Sequence, residues 1–424
     1  MQPCLHSDVL ESLSKLQERG FTLIGLSRVD EPTFDRYFRE YVPTSIHKTL
    51  CGETCLLLCM RQMEPSFSID GLATLLALLK NPQAFQDSQR RAIVRTQMSF
   101  ILSDFWYCDS ELGNGSFATV FGASNIISGE CVAVKLETLN GDADEKETLP
   151  YESMIYRRLR GHPGIPSVHW SGRFDISNVL ILDKLGPNLQ DLCQSCRGQL
   201  SLKTILMLAI QMLDRIEFVH SRNIIVRDIK PENFAMGLGK NASRVYLFDF
   251  GLAKLFENPV TGQHMPYRAD RRGMGTPRYC SYNTAYQREL SRRDDLESLG
   301  NTLLFFYHGR LPWQGIYAPN IPWKFRRIGE MKSGQAFQDL LSRSPPEFTA
   351  YFKHVRGLAF DDKPDYGFLT GIFESRMEQE GWKNDGMFDW IDTNSERGTL
   401  IPGEYQFETG FAQKVFEYIT TTLF

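Results

Sequence analysis

The chain has 424 residues, of which 42% are hydrophobic and 23% charged, a composition typical of a folded globular protein and not of a disordered or fibrous one. With 47 Lys and Arg against 51 Asp and Glu, the net charge is -4, so the protein as a whole is not drawn to nucleic acid or to an anionic membrane. The most apolar stretches, 55–60 and 72–79, are far shorter than the roughly 20 residues that span a bilayer, and residues 1–16 lack the pattern of a secretory signal. We therefore expect a cytoplasmic or nuclear protein with no membrane insertion.

Residues 1–104 predict a helical N-terminal extension of unknown role. Apolar positions recur at helical spacing in 7–20, 33–41 and 71–80. No catalytic motif occurs there, and the charged stretch 86–95 is more typical of a solvated helix face than of a nucleic-acid contact.

The 9 cysteines are an odd number scattered along the chain, which does not indicate a disulfide framework. Cys51, Cys55 and Cys59 recur every four residues, which predicts one face of a helix, and Cys193 and Cys196 form a lone CxxC motif. Neither group has a second pair or a histidine at zinc-finger spacing, so buried thiols are favoured over a metal site.

The pattern changes to β-strand over 105–122 and 131–136, and again at 179–182, where aromatic and β-branched residues are frequent. Amphipathic helical patterns then follow at 202–220, 294–307, 346–355 and 366–378. The order predicts a small β-rich unit followed by a larger helical one, which is an α+β architecture.

A glycine-bearing turn at 113–118 lies between two predicted strands. A strand–helix nucleotide motif and a P-loop are both disfavoured by this context. Gly113 and Gly115 would let the backbone approach the phosphates of a nucleotide, although glycine turns are common in hairpins. Lys135 on the next strand and Glu152 in a predicted helix strengthen the hypothesis, because a glutamate can hold a lysine against the α- and β-phosphates.

The most informative stretches are 225–233 and 248–251. Phosphoryl transfer from ATP needs a carboxylate to accept the hydroxyl proton, a cation near the moving phosphoryl group and oxygen ligands for Mg²⁺. Asp228 and Lys230 supply the first two, and Asn233 and Asp249 supply the metal ligands. Each is an ordinary loop residue alone, but the whole set at this spacing resembles a protein kinase.

The resemblance becomes narrower in six segments: LGPNLQDL, FVHSRNIIVRDIKPENF, SRRDDLESLG, LPWQG, FDDKPDY and FDW. Together they are similar to the casein kinase I family of Ser/Thr kinases. Ser281, Tyr282 and Asn283 stand where most protein kinases have Ala-Pro-Glu, as is typical of that family.

The resemblance implies a bilobal protein-kinase fold over residues 105–393, with ATP between the lobes. The small lobe would be 105–184 and the large lobe 185–393, with residues 394–424 packed on the large lobe. ATP-binding residues implied by the motifs and the resemblance are Gly113, Gly115, Val120, Lys135, Glu152, Leu182, Asp183 and Leu185.

Casein kinase I enzymes favour protein substrates that already carry acidic or phosphorylated residues. The resemblance assigns the corresponding anion pocket to Arg278, Lys324 and the backbone of Gly315. Arg268, Arg271 and Arg272 are either additional positive charge for the substrate or a solvated loop.

Two departures from the kinase pattern leave a second hypothesis open. Ala118 replaces the third loop glycine, and Val226 replaces the histidine that usually precedes Arg-Asp. Neither removes a group that handles ATP, metal or proton, so we expect an active, monomeric Ser/Thr kinase. The alternative is a pseudokinase scaffold that binds partners through the kinase-like domain and the N-terminal helices.

Overall fold

The computed structural model describes residues 21–29, 50–51, 54–62, 100–102, 106–115, 118–125, 129–139, 147–174, 176–269 and 275–391. The chain divides into two compact units, residues 1–136 with 405–424, and residues 137–404. Domain boundaries after residues 104, 184 and 393 remain predictions. The predicted helices 7–20, 33–41 and 71–80 and the predicted C-terminal segment 394–424 lie outside the described residues.

The described N-terminal residues form strands, not helices. Strand β1 (Phe21–Val29) pairs antiparallel with β3 (Thr54–Gln62), which also pairs with β2 (Leu50–Cys51). Placing Cys51, Cys55 and Cys59 on a helix is therefore wrong, and the helical extension is not what these residues show. The physical reason is that residues 55–60 are continuously apolar, and such a short run fits a strand as well as a helix.

Four strands follow: β4 (Phe100–Leu102), β5 (Trp106–Asn114), β6 (Thr119–Asn125) and β7 (Cys131–Thr138). Each is antiparallel to the next. The first unit ends at Leu136, within β7. Alternation along β7 buries Val132 and Val134 completely and places Ala133 and Lys135 on the other, partly exposed face.

The second unit begins with helix α1 (Leu149–Arg158) and the hairpin β8 (Val168–Phe174) and β9 (Ser177–Asp183). Glu137 caps α1, since its carboxylate accepts from the Thr148 amide at 2.7 Å and the Leu149 amide at 3.1 Å. Burial would raise the pKa of Glu137, but hydrogen bonds from Thr148 and Asn178 bring it below its ordinary value. Glu137, near the end of β7, thus contributes the N-terminal cap of α1.

The remainder of the second unit is mainly helical. Its helices are α2 (Leu189–Ser195), α3 (Leu202–Ser221), α4 (Tyr282–Ala285), α5 (Arg292–His308), α6 (Ile321–Ser333), α7 (Gln335–Ser342), α8 (Pro346–Gly357) and α9 (Tyr366–Gln379). Two short antiparallel pairs interrupt them: β10 (Ile224–Ile225) with β13 (Lys254–Leu255), and β11 (Phe234–Met236) with β12 (Val245–Leu247). Among the described residues, no helix has both the length and the apolar character needed to cross a membrane.

Strands dominate from residue 100 to 183 and helices from 189 to 379, which confirms the predicted α+β class. The four long helices that the periodicity predicts are α3, α5, α8 and α9, with ends within about two residues of the expected ones. Helices α6 and α7 are not anticipated by the sequence analysis. Pro322 lies in the first turn of α6, where proline is tolerated, and Gly334 separates the two helices.

Helix α5 is the centre of the helical core. Every residue from Asp294 to Phe306 is buried, so the helix is enclosed on all sides. It packs on α3 and α8. At Gly300 the α8 side chains come closest, and a Cβ there would lie 2.5 Å from Phe352 Cζ and 2.9 Å from Tyr351 Cε1.

We expect Gly300→Ala to lower the free energy of unfolding by about 1–3 kcal/mol, because the added methyl group overpacks the α5–α8 contact. Gly371→Ala in α9 is the matched control, since nothing lies within 4 Å of its added Cβ. That variant should gain roughly 0.5–1 kcal/mol from helix propensity. Urea unfolding followed by circular dichroism measures both, and a Gly300→Ala protein as stable as the wild type would contradict this packing.

Candidate active site

A buried carboxylate on the first turn of α5 holds residues 225–233, which we call the catalytic loop. Asp295 is 2% exposed and accepts from the amide of Val226 at 2.7 Å and from the amide of Arg227 at 2.8 Å. His220 Nε2 lies 2.9 Å from the same carboxylate, and its Nδ1 lies 2.6 Å from the Tyr366 hydroxyl. Arg227 has a φ of 69°, a left-handed conformation that these bonds stabilise.

Sequence reasoning missed Asp295 as a site residue. It lies in the SRRDDLESLG segment, and an acidic residue in a first helical turn is usually explained by the helix dipole alone. Val226, in the place of the usual histidine, is fully buried and keeps its amide bond to Asp295.

The loop brings Asp228, Lys230 and Asn233 together, as the spacing predicts. Lys230 Nζ lies 2.6 Å from Asp228 Oδ2, and Asn233 Nδ2 donates to the Asp228 carbonyl at 3.0 Å. Asp228 Oδ1 accepts from both the amide and the hydroxyl of Thr276, at 2.9 and 3.0 Å. Sequence reasoning assigned no site role to Thr276, whereas here it fixes the orientation of Asp228.

A backbone hydrogen bond holds the residue before Asp249 against Asn233. The amide of Phe248 donates to the Asn233 carbonyl at 3.0 Å, and Asp249 has a φ of 63°. The amide of Asp249 donates to the Tyr156 hydroxyl at 3.1 Å, and the Phe250 amide donates to Glu152 Oε1 at 3.3 Å. Tyr156 and Glu152, both on α1, therefore set the backbone that carries Asp249.

The side chains of Asp249 and Asn233 fit a hard divalent cation, because carboxylate and amide oxygens are the ligands that Mg²⁺ prefers. Since Asn233 Nδ2 is bonded to the Asp228 carbonyl, its amide oxygen is the atom offered as a ligand. Over the described residues there is no cluster of three or more His, Cys, Asp or Glu able to hold a metal, so phosphate oxygens and water would complete the coordination.

Cys193 and Cys196 are free thiols. Cys193 is buried, and burial raises the pKa of its thiol to about 11. A thiol that stays protonated is a poor metal ligand and a poor nucleophile, as the buried-thiol hypothesis expects.

The predicted adenine-binding residues Leu182, Asp183 and Leu185 lie at the end of β9 and in the connector after it. The Asp183 carboxylate accepts from the Ser167 amide at 2.7 Å and lies 2.8 Å from His169 Nε2, while the Asp183 amide donates to the Ser167 carbonyl at 3.1 Å. These bonds fix the end of β9. Adenine recognition by the backbone of Asp183 and Leu185 remains a prediction.

The remaining predicted ATP residues, Gly113, Gly115, Val120 and Lys135, belong to the first unit. Val120 on β6 is paired with Gly113 on β5 and with Lys135 on β7. The Gly115 amide donates to the Ala118 carbonyl at 2.9 Å, and a Cβ at Gly113 would meet nothing within 4 Å. The backbone at Gly113 is thus open to a ligand, whereas the pairing of Lys135 with Glu152 stays a prediction.

Of the predicted anion pocket, Arg278 has the most defined surroundings. Its guanidinium lies 5.6 Å from the centres of the Tyr279 and Phe305 rings, and its Nη1 donates to the Tyr279 hydroxyl at 3.2 Å. Lys324 is exposed in the first turn of α6, and Gly315 has a φ of 72°. Of the three arginines in the predicted basic cluster, Arg268 is exposed, whereas Arg271 and Arg272 lie outside the described residues.

Asp294, next to Asp295, anchors residues 281–283, which follow the loop 249–280 that we call the activation loop. It accepts from Ser281 Oγ at 2.6 Å, from Asn283 Nδ2 at 3.0 Å and from the Ser291 amide at 2.9 Å. Burial raises the pKa of Asp294 to about 6 despite these bonds. Its favourable contribution to stability is complete below the ordinary value of 3.8 and is lost as pH rises through about 6, so the ionised network is kept at a cost.

Replacing Asp295 by Asn should lower kcat by at least about tenfold and destabilise the fold by roughly 1.5–3 kcal/mol. The reason is that asparagine offers one acceptor oxygen and a donor where Val226, Arg227 and His220 need acceptors. Steady-state phosphoryl-transfer kinetics and thermal unfolding check this. Glu374→Gln, the same chemical change at an exposed position, is the control, and equal kinetics in both variants would contradict the anchoring role.

A sequence model of the protein kinase domain matches residues 106–349. The matched segment spans more than half of the chain, and it contains the catalytic loop, Asp249, the anchoring Asp295 and Arg278. This chain belongs to the protein kinase domain family.

Proposed function

We propose that the chain is an active Ser/Thr kinase similar to casein kinase I, which transfers the γ-phosphoryl group of ATP to protein substrates with acidic or already phosphorylated sites. The observation that supports the proposal most is the hydrogen bonding of the Asp228 carboxylate. Thr276 donates to one of its oxygens, and Lys230 pairs with the other. An aligned base beside a cation is what phosphoryl transfer requires of the protein.

In this mechanism Asp228 orients the substrate hydroxyl and accepts its proton as the oxygen bonds to the γ-phosphorus. The bond from that phosphorus to the β,γ-bridging oxygen breaks, and ADP leaves with the electron pair. Lys230, 2.6 Å from Asp228, places positive charge where the transferring phosphoryl group develops negative charge. Mg²⁺, when bound by Asp249 and Asn233, supplies charge neutralisation at the phosphates. Lys135 would position the α- and β-phosphates, with Glu152 as its partner.

A pseudokinase scaffold is the second candidate, motivated by Ala118 and Val226. Ala118 is 9% exposed and its carbonyl closes the glycine turn, while Val226 is fully buried and its amide is bound. Neither substitution disturbs the hydrogen bonds of Asp228, so the observations favour an active enzyme.

The proposal is tested by labelling casein with radioactive ATP and Mg²⁺. The Asp228→Asn variant should lose about 10²–10⁴-fold in kcat, the usual contribution of a positioned base. Asp361→Asn, an exposed carboxylate changed in the same way, should keep full activity. Absent labelling by the wild type, or equal labelling by wild type and Asp228→Asn, would favour the scaffold.

The proposed anion pocket is Arg278 with Lys324 and the Gly315 backbone. Arg278 is two residues beyond Thr276, so it follows directly on the group that fixes Asp228. A guanidinium can form two parallel bonds to a phosphate, and an ammonium adds a point charge. This supports recognition of an acidic or phosphorylated residue close to the target hydroxyl.

We expect Arg278→Ala/Lys324→Ala to reduce the ratio of kcat/KM for a phosphorylated peptide over its unphosphorylated twin by about tenfold or more. Turnover of the unphosphorylated peptide should change less, because the bonds of Asp228 are untouched. The variant Lys353→Ala/Lys363→Ala removes the same charge from exposed positions and serves as the control. An unchanged ratio would place anion recognition elsewhere, with Arg268 the next candidate.

A further inference from the structure

Three large apolar side chains stand exposed within a short stretch of the second unit. Tyr317 is 92% exposed, Ile321 71% and Trp323 50%. Tyr317 lies in the loop before α6, and the other two lie in the first turn of that helix. Together with Arg326 and Arg327, we call these residues the aromatic-basic patch.

We propose that the aromatic-basic patch is a docking surface for an acidic segment of the protein substrate that carries a large apolar side chain. The inference rests on the proposed kinase function and extends it, since none of the patch residues is assigned to ATP, proton transfer or the anion pocket. Lys324 of the anion pocket lies between Trp323 and Arg326, so the two surfaces adjoin. Grouped exposed apolar residues with charged neighbours are a mark of interaction surfaces.

The burial pattern of α6 shows why the patch faces solvent. Phe325 and Ile328 are 4% and 1% exposed, and they form the inner face of the helix. Helical periodicity places Trp323, Arg326 and Arg327 on the opposite face. Ile321 is in line with Phe325 but is the first residue of the helix and is 71% exposed there. The Arg326 guanidinium lies 5.4 Å from the centre of the Trp323 ring, so an aromatic surface and a positive charge are presented together.

The charge around the patch selects an acidic partner. Residues 309–329 contain Arg310, Lys324, Arg326 and Arg327 and no Asp or Glu, although the whole chain has a net charge of -4. Arg326 Nε lies 3.3 Å from Glu330 Oε1 on the same helix, so part of its charge is balanced within α6. Local positive charge in an acidic protein steers acidic segments to this face.

The patch is tied to the segment that binds the substrate. Trp313 Nε1 donates to the Arg278 carbonyl at 2.7 Å, and Lys332 Nζ donates to the same carbonyl at 3.4 Å. Lys332 is completely buried and also donates to the Cys280 carbonyl. The patch lies in sequence between these two anchors, and Arg278 is two residues from the Thr276 that bonds Asp228.

Because the patch is connected to the segment around Arg278, we infer that its partner is a protein substrate rather than a lipid surface or a nucleic acid. A protein whose hydroxyl is held at Asp228 extends its flanking residues along the segment around Arg278, to which both ends of the 313–332 stretch are bonded. A lipid surface or a nucleic acid has no such link to the reaction.

The test uses the whole 424-residue chain and compares its activity on a long substrate and on a short one. Casein is the long probe, and the short probe is an acidic peptide with one serine and no large apolar residue. The variant Tyr317→Ser/Trp323→Ser should lower kcat/KM for casein by about tenfold, mainly through KM, and leave the short peptide unchanged. The control Ile176→Ser/Val260→Ser removes exposed apolar side chains elsewhere, at 56% and 90% exposure, and should alter neither.

Charge is tested separately with Arg326→Glu/Arg327→Glu. This variant should also weaken casein phosphorylation, and the difference from wild type should shrink at about 0.5 M NaCl, where surface charges are screened. Binding of fluorescently labelled casein, measured by anisotropy, gives the same comparison without turnover. A wild type that binds casein through the patch and phosphorylates nothing would refute the kinase proposal and retain the docking surface.

Several results would overturn the docking surface. One is an unchanged casein kcat/KM and affinity in both patch variants, and another is an equal loss with the short peptide. A fall in Tm of about 5 °C or more in Tyr317→Ser/Trp323→Ser would show that the chain itself packs these side chains. Patch-dependent binding to phosphatidylserine vesicles or to polythymidine, with casein unaffected, would assign the surface to a lipid or a nucleic acid.

Discussion

Two adjacent carboxylates at the start of the buried helix α5 hold in place, by hydrogen bonds, the chain segments that form the candidate active site. Asp295 binds the backbone of the catalytic loop, and Asp294 binds Ser281 and Asn283 in the segment that follows the activation loop. Their position at a helix N-terminus favours the negative charge, and several hydrogen bonds offset part of the cost of burying it. Because both originate from one rigid helix, the catalytic loop and residues 281–283 are held in a fixed relation.

The first half of the activation loop is held by side chains of the unmodified protein. Arg227 Nε donates to the Leu252 carbonyl at 2.6 Å, and Lys254 pairs with the buried Glu289 at 2.8 Å. Met265 packs against the cluster of Ile225, Phe256 and Leu290. In many kinases an added phosphate orders this loop by pairing with arginine. Here a carboxylate of the chain itself, that of Glu289, provides the partner for Lys254.

The sequence predicts those parts of the site that are local in the chain. Asp228, Lys230 and Asn233 lie within six residues of each other, so spacing alone places them together. Asp295 and Thr276 reach the catalytic loop across sequence separations of 68 and 48 residues, which no periodicity or motif encodes without the fold. Tyr156 contacts Asp249 across 93 residues for the same reason. The helix prediction for the cysteine-bearing stretch 55–60 is wrong for a different reason. A short apolar run is ambiguous between strand and helix until its partner strand is known.

The most direct test of the Asp295 anchor is amide hydrogen exchange at Val226 and Arg227. The protein is first treated with phosphatase and studied without nucleotide, so that neither phosphate nor ligand can order the loop. If Asp295 holds the loop in the resting enzyme, both amides should be protected to nearly the same degree as the buried amides of α3. Exchange as fast as in the exposed turn Gly239–Asn241, with α3 still protected, would contradict the account.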